Sequence, residues 1–232
     1  RGYTMHEGHR DRVKKRFRQE GLDHFSDIQA LELLLFYGIP RVDTNPIAHA
    51  LLDRFGSLSQ VLEASPEELM KVPGVGENAA LLLTLIPQMG RFYMVDRSSR
   101  VTILQTLEQC ANFLVPHFFG RKVETVFILC LDAKCKLLCC KELGEGGPNS
   151  TGVSIRKIVE TAIGVNAATV VLAHNHPSGL AVPSAEDIQT TRRIAHALQA
   201  VEITLADHII VADGDYVSIA MSDDRFRDCL LI

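Results

Sequence analysis

The strings HNHPSG (residues 174–179) and PSAED (residues 183–187) carry most of the structural information in this sequence. They follow an apolar run, residues 168–173, that is typical of a buried strand. In extended backbone, residues i and i+2 point to the same side, so both imidazoles can converge on one ion while Asn175 points away. Because Pro177 ends the strand, we expect the two histidines to lie in a loop at the strand end.

Asp187 follows His176 by eleven residues, in the first turn of the next predicted helix. Two imidazoles and one carboxylate with an open fourth position are the ligand set of a catalytic zinc site, where zinc lowers the pKa of bound water to about 7. Ser184 and Asp187 also have the spacing of an ordinary helix capping box. Asp187 can serve as a zinc ligand and as part of the capping box at once, because the cap would keep its carboxylate in place. We predict one Zn²⁺ per chain, bound by His174, His176 and Asp187.

The pattern of apolar residues changes near residue 97. Before it, helical spacing and helix-capping residues predict helices only. After it, helices alternate with short β-rich runs, which predicts an α/β arrangement. A helix is expected over residues 103–116 and strands over 123–131, 135–142, 168–173, 203–212 and 215–220. We therefore predict an all-helical domain over residues 1–97 and a mixed α/β metal-binding domain over residues 98–232.

The string VPGVG (residues 72–76) resembles the loop of the helix-hairpin-helix motif. In that motif, glycines such as Gly74 and Gly76 let backbone N–H groups approach a phosphate, so weak DNA contact is one interpretation. A basic cluster in residues 10–18 supports it. Glu77 and the balance of 12 basic against 13 acidic side chains in residues 1–97 oppose it. A helical module for docking a partner is the alternative.

Composition excludes several classes of protein. The chain has 232 residues, 47% apolar and 22% charged, which favours a folded globular protein over a disordered one. No apolar run approaches the roughly 20 residues that cross a bilayer, and the N-terminus lacks a signal-peptide core. A net charge of −4 argues against a general nucleic-acid binder. Four of the six cysteines fall in residues 130–140, where they are expected as buried thiols in a cytoplasmic protein.

The two strings at residues 174–187 resemble the JAMM motif of MPN-domain metallopeptidases, and their residues are similar to those of the RadC family at this motif. The resemblance implies an MPN/JAB-like fold, related to cytidine deaminases, preceded by a small helical domain. It implies His174, His176 and Asp187 as zinc ligands and Ser184 as a residue that stabilises the oxyanion. The family also places a glutamate upstream as general base. Glu124, at the start of a predicted strand, fits this role, and Glu142 is the competitor.

Three functional interpretations follow. The leading one is a zinc metallohydrolase that cleaves an amide, either a peptide bond or an isopeptide bond, in a protein or peptide substrate. The second is a DNA-associated repair or recombination factor that uses the helical domain. The third is a non-catalytic MPN scaffold, which the full set of candidate ligands disfavours. The oligomeric state, and whether residues 144–150 form a lid, stay open at this stage.

Overall fold

The structure is a computed structural model, and it describes residues 5–99, 102–148 and 153–222. The chain divides into two compact units, Arg1–Met89 and Gly90–Ile232. The division falls inside a long helix, ahead of the boundary predicted at residues 97/98. The end of this helix is tied to the second unit, because Arg91 donates a hydrogen bond to the carbonyl oxygen of Phe119 (3.0 Å).

The first unit is helical, as predicted. Its helices are α1 (Met5–Glu20), α2 (Asp27–Gly38), α3 (Asn45–Phe55), α4 (Leu58–Glu63), α5 (Pro66–Leu69) and the start of α6 (Glu77–Ser98). Ser26 caps α2: its hydroxyl oxygen accepts a hydrogen bond from Gln29 N, and its backbone N–H donates to the side-chain oxygen of Gln29. Leu31, Leu51 and Leu83 are fully buried where these helices meet. Each such side chain stabilises the fold by about 2 kcal/mol relative to exposure.

Gly74, in the loop before α6, is a glycine for reasons of packing. Its φ is +90°, and a Cβ atom there would lie 2.8 Å from Cδ1 of Ile47. Gly76 has open space around its Cα. Packing against Ile47 in the same unit is therefore enough to explain why residue 74 is a glycine, and no ligand is needed for that explanation. DNA contact at Gly74 and Gly76 stays a prediction.

The second unit is built on one mixed sheet with the strand order β2-β1-β3-β4-β5. Its elements are α7 (Leu107–Leu114), a 3₁₀ turn (Val115–Phe118), β1 (Thr125–Leu131), β2 (Leu137–Glu145), α8 (Ile155–Gly164), β3 (Thr169–Asn175), α9 (Ala185–Gln199), β4 (Thr204–Ala212), β5 (Asp215–Ser218) and α10 (Ile219–Ser222). Strands β3 and β4 are parallel and are joined through α9, whereas the other neighbouring pairs are antiparallel. Helices and sheet together confirm the predicted α/β class.

The helix predicted over residues 103–116 is shorter in the structure. Thr106 caps α7 by accepting a hydrogen bond from Gln109 N, so the helix begins at Leu107. Ile103 instead forms an isolated β-bridge with Lys136. The capping box therefore outweighed the apolar pattern that suggested an earlier start.

The central strands β1 and β3 are buried on both faces of the sheet. Val126 and Ile128 of β1 pack on one face with α8 and α9, whereas Phe127 and Leu129 pack on the other with α7. Side chains alternate in the same way along β3, so His174 continues the face that α9 covers. This places the end of β3 beside the start of α9. Among the described residues, no helix is long and apolar enough to cross a membrane.

Candidate metal centre

The two histidines of the HNHPSG string converge at the end of β3. His174 is fully buried, and its Nε2 lies 2.9 Å from Nε2 of His176. Asp187, in the first turn of α9, places Oδ1 3.3 Å from His174 Nε2 and Oδ2 3.6 Å from His176 Nε2. The structure therefore brings together the three residues that the sequence suggested as zinc ligands.

Ser184 holds Asp187 in this position. Its backbone N–H and its hydroxyl both donate to Asp187 Oδ2, at 2.8 and 2.6 Å, and its oxygen accepts from Asp187 N at 3.1 Å. This is the predicted capping box. Burial opposes ionisation of Asp187, but the hydrogen bonds that the Ser184 hydroxyl and backbone N–H donate to its carboxyl lower the pKa below the usual range. Asp187 is therefore a carboxylate at neutral pH.

The same contact bears on the oxyanion role predicted for Ser184. The hydroxyl proton is donated to Asp187, so the hydroxyl would have to exchange this partner before it could stabilise an oxyanion in the pocket. The role stays a prediction.

The two glutamates considered as general base have different surroundings. Glu124 immediately precedes β1, with Oε1 3.6 Å from His174 Nε2. One ligand atom each of Glu124, His174 and His176 lie within 4.8 Å of one another. Glu142, on β2, accepts a hydrogen bond from Arg121 at 2.8 Å. Glu124 is thus the glutamate beside the imidazoles.

A chain of hydrogen bonds determines which nitrogen of His174 carries a proton. The Thr191 hydroxyl donates to the Asp187 carbonyl oxygen (2.6 Å), so Thr191 Oγ1 must accept the Nδ1–H of His208 (2.5 Å). Burial lowers the pKa of His208 well below its usual range, so this ring is neutral and its Nε2 is an acceptor. His174 Nδ1 lies 2.8 Å away and donates to it. The tautomer assigned by these partners leaves His174 Nε2 without a proton.

The same reasoning applies to His176. Its Nδ1 lies 3.1 Å from the Leu180 carbonyl oxygen, which can only accept, so a neutral His176 carries its proton there. Both Nε2 atoms are then lone-pair acceptors that face each other, with the carboxylates of Glu124 and Asp187 beside them. A cation placed between them would stabilise such a set of acceptors.

The donor set fits zinc in chemistry and spacing. Tetrahedral zinc with bonds of about 2.0–2.1 Å separates its ligand atoms by about 3.3 Å. Between the ligand atoms of His174, His176 and Asp187, the separations are 2.9, 3.3 and 3.6 Å. Nitrogen and carboxylate donors are those that zinc prefers.

The cluster opens into a cavity of about 330 Å³. The residues that line it are Glu124, Gly147, Pro148, His176, Ser184, Glu186, Asp187 and Thr190. Gly147 and Pro148 belong to the loop after β2, while residues 149 and 150 lie outside the described part of the chain. Whether residues 144–150 act as a lid therefore stays open.

Thr191 and His208 lie outside the two motif strings at residues 174–187, so those motifs do not predict their role. Their contribution depends on the pairing of β3 with β4, in which Leu172 lies beside His208. The one local signal is the i, i+4 spacing of Asp187 and Thr191, which puts both on the same side of α9.

No cysteine in the described part of the chain lies in this centre. Of the four cysteines expected to be buried, Cys130 is buried, whereas Cys135, Cys139 and Cys140 are only partly buried; Cys110 is buried as well. Burial raises the pKa of Cys110 to about 11 and that of Cys140 to about 12, so both are thiols at neutral pH and not metal-binding thiolates.

Part of the basic cluster of residues 10–18 is used inside the first unit. Arg10 donates to carbonyl oxygens at the end of α2, including that of Ile39 at 2.7 Å. Arg16 contacts Glu20 at 3.1 Å and the carbonyl oxygen of His24 at 2.6 Å. These two cations therefore stabilise the helical unit.

Comparison with known proteins matches both parts of the chain to family models. Residues 104–224 match the RadC-like JAB domain, and residues 6–81 match the UPF0758 N-terminal family. A UPF0758 protein of Paraburkholderia xenovorans (strain LB400) is 33% identical over 210 residues, which cover 90% of this chain and 83% of the relative. A UPF0758 protein of Fusobacterium nucleatum subsp. nucleatum is 32% identical over 219 residues, covering 91% and 94%.

Proposed function

Because the chain belongs to the RadC-like JAB domain family, we propose that it is a zinc-dependent hydrolase that cleaves amide bonds in a protein or peptide substrate. One observation carries the proposal. His174 and His176 face each other with their Nε2 atoms 2.9 Å apart, beside two carboxylates, at the edge of an open cavity, and their hydrogen-bond partners assign both Nε2 atoms as acceptors. A purely structural cluster would contain donors to match these acceptors.

His174, His176 and Asp187 would hold the zinc ion. Zinc bound by such residues supplies a Lewis acid and makes water available as hydroxide near neutral pH. Thr191 and His208 keep the imidazole of His174 in the tautomer that offers Nε2 to the metal. Ser184 keeps Asp187 ionised and oriented.

Glu124 is the proposed general base. Its side chain is 34% exposed and lines the cavity, so it can reach both the buried imidazoles and a substrate. A carboxylate in this place can take a proton from the attacking water and return it to the leaving amine. The amine is then released neutral, which an amide bond requires for cleavage.

The test uses the zinc-loaded full chain and a panel of fluorogenic peptides and lysine-linked isopeptides. Cleavage should require zinc, and Glu124→Gln should lower kcat by at least about 100-fold with little change in KM. Glu142→Gln is the matched control, since it alters a strand glutamate paired with Arg121, and it should retain activity. Cleavage that survives in Glu124→Gln, or no zinc-dependent cleavage across the panel, would contradict the proposal.

A further inference from the structure

Asn175, between the two histidines, contacts the backbone on both sides of Glu124. Its Oδ1 accepts a hydrogen bond from Thr125 N at 2.8 Å, and its Nδ2 donates to the Val123 carbonyl oxygen at 3.2 Å. The two partners force this orientation of the amide, because one can only donate and the other only accept. Asn175 is 4% exposed, so these contacts are buried.

These contacts lie where the sheet ladder stops. The pairing of β1 with β3 runs from Leu131/Thr169 to Val126/His174. Beyond that pair, the backbone around Glu124 leaves the ladder, and the side chain of Asn175 supplies the missing donor and acceptor. On the other side, Gly146 N donates to the carbonyl oxygen of Glu124 at 2.7 Å. The backbone of Glu124 is therefore held from both neighbouring strands.

Gly147 limits where the Glu124 carboxylate can lie. A Cβ atom on residue 147 would stand 2.7 Å from Glu124 Oε1 and 3.3 Å from its Cδ. The φ of Gly147 lies outside the left-handed region, so its backbone conformation is open to other residues. The glycine is therefore required for the space taken by Glu124 and not for a turn.

We propose that Asn175 and Gly147 are positioning residues that hold the Glu124 carboxylate beside His174, Asn175 through the backbone and Gly147 by leaving space. The inference rests on the proposed role of Glu124 but concerns its placement. Asn175 lies between His174 and His176, and side chains alternate between the two faces of a strand. The end of β3 therefore directs the candidate ligands to one side and Asn175, which holds the backbone of Glu124, to the other.

The first test is a crystal structure of the metal-free Gly147→Ala variant. The added methyl group meets only the flexible end of Glu124, so the carboxylate should move by about 0.7 Å or more while the fold and the thermal stability stay the same. Gly164→Ala is the matched control, because a Cβ atom there meets nothing within 4 Å. A carboxylate that stays in place in Gly147→Ala would overturn the inference.

The second test is a double-mutant cycle on zinc affinity, measured on the full chain by competition with a chromophoric chelator. The Glu124 carboxylate lies 3.6 Å from His174 Nε2, where its negative charge would favour a bound cation. Gly147→Ala and Asn175→Asp should therefore each weaken zinc binding about 10-fold, and neither should have an effect in the Glu124→Ala background. Losses that persist in that background would show a merely structural role and overturn the inference.

The two tests separate this inference from the proposed function. If the wild-type chain binds no zinc, the proposed function fails, whereas the position of Glu124 in metal-free Gly147→Ala still decides the inference. Asn175→Asp places a carboxylate against the Val123 carbonyl oxygen, which can reduce the yield of folded protein. If it does, the zinc affinities of Gly147→Ala with and without Glu124→Ala decide the second test.

Discussion

Each unit of the molecule contains a buried carboxylate in contact with histidine, and the two clusters differ in their hydrogen-bond donors. In the helical unit, Glu32 is 2% exposed and receives His9 Nε2 at 2.8 Å and Asn45 Nδ2 at 3.5 Å. In the sheet unit, Asp187 lies beside two imidazole nitrogens that carry no proton.

The comparison separates a structural cluster from a ligand site. The Glu32 carboxylate is matched by donors from its own unit, so it needs nothing else. Around Asp187, the donors of Ser184 satisfy one carboxylate, while Glu124 and the two Nε2 atoms remain as acceptors directed at a shared space. Burial of a carboxylate therefore says little about function until its donors have been counted.

The largest expected effect is stabilisation by zinc. Zinc at 100 times its Kd should raise the free energy of unfolding by about 2.7 kcal/mol, because it binds only the folded chain. Denaturant unfolding with and without zinc measures this. His174→Ala should abolish the increment and Glu32→Gln should retain it. If Glu32→Gln lost the zinc-dependent increase in the free energy of unfolding and His174→Ala kept it, the zinc site would belong to the Glu32 cluster and not to the cluster around His174.

Thr191→Val removes the hydroxyl that orients His208 and, through it, His174. Zinc affinity should fall about 10- to 100-fold, as for other residues that orient metal ligands. Chelator competition is the measurement. Thr161→Val is the matched control, since Thr161 makes the same helical hydrogen bond to Lys157 O (2.7 Å) on α8, away from the site. Equal affinity in Thr191→Val and wild type would disprove the role of the hydrogen-bond chain.

Glu32→Ala tests the structural cluster. It leaves the half-buried amide of Asn45 without its carboxylate partner and should lower the free energy of unfolding by about 1 kcal/mol. Zinc affinity should not change. Denaturant titration and chelator competition on the same samples give both numbers, and a zinc affinity that falls with the stability would argue against two independent clusters.

His117 is a partly buried histidine whose ring is tilted against those of Phe113 and Phe127, with ring centroids 5.8 and 5.0 Å away. Burial and the nearby Arg121 lower its pKa to about 4. As the pH falls below about 6.5, His117 takes up a proton in the unfolded chain but stays neutral in the folded chain. The free energy of unfolding that His117 contributes above pH 6.5 is therefore lost as the pH falls towards 4. Between pH 7 and 5, His117 should account for about 1–2 kcal/mol.

Unfolding curves of wild type and His117→Gln across this pH range measure that contribution. The variant should show a shallower decline in stability on acidification. Parallel declines would mean that His117 is not kept neutral by the fold.

The sequence allowed prediction of those parts of the site that depend on local spacing. The convergence of His174 and His176 follows from strand alternation, and the hold of Ser184 on Asp187 follows from the capping box. The place of Glu124, 50 residues before His174, depends on the register of β1 against β3, so only the family resemblance suggested it.

Local sequence patterns do not reveal the residues that orient the candidate ligands and Glu124. Thr191, His208 and Asn175 act through hydrogen bonds between elements that are distant along the chain, and single-sequence periodicity does not encode such register. The helix predicted over residues 103–116 begins only at Leu107 for two reasons. The bridge between Ile103 and Lys136 joins residues distant along the chain, whereas the cap at Thr106 is a local signal that competes with the apolar pattern.

The most direct measurement is the zinc content of the chain by elemental analysis, on protein purified without chelator, beside Asp187→Ala. We predict close to one zinc per wild-type chain and none in the variant, because removal of Asp187 takes away one of the three proposed ligands. A wild-type chain that holds no zinc, even after zinc is added back and the excess removed, would contradict the interpretation of this cluster as a metal centre.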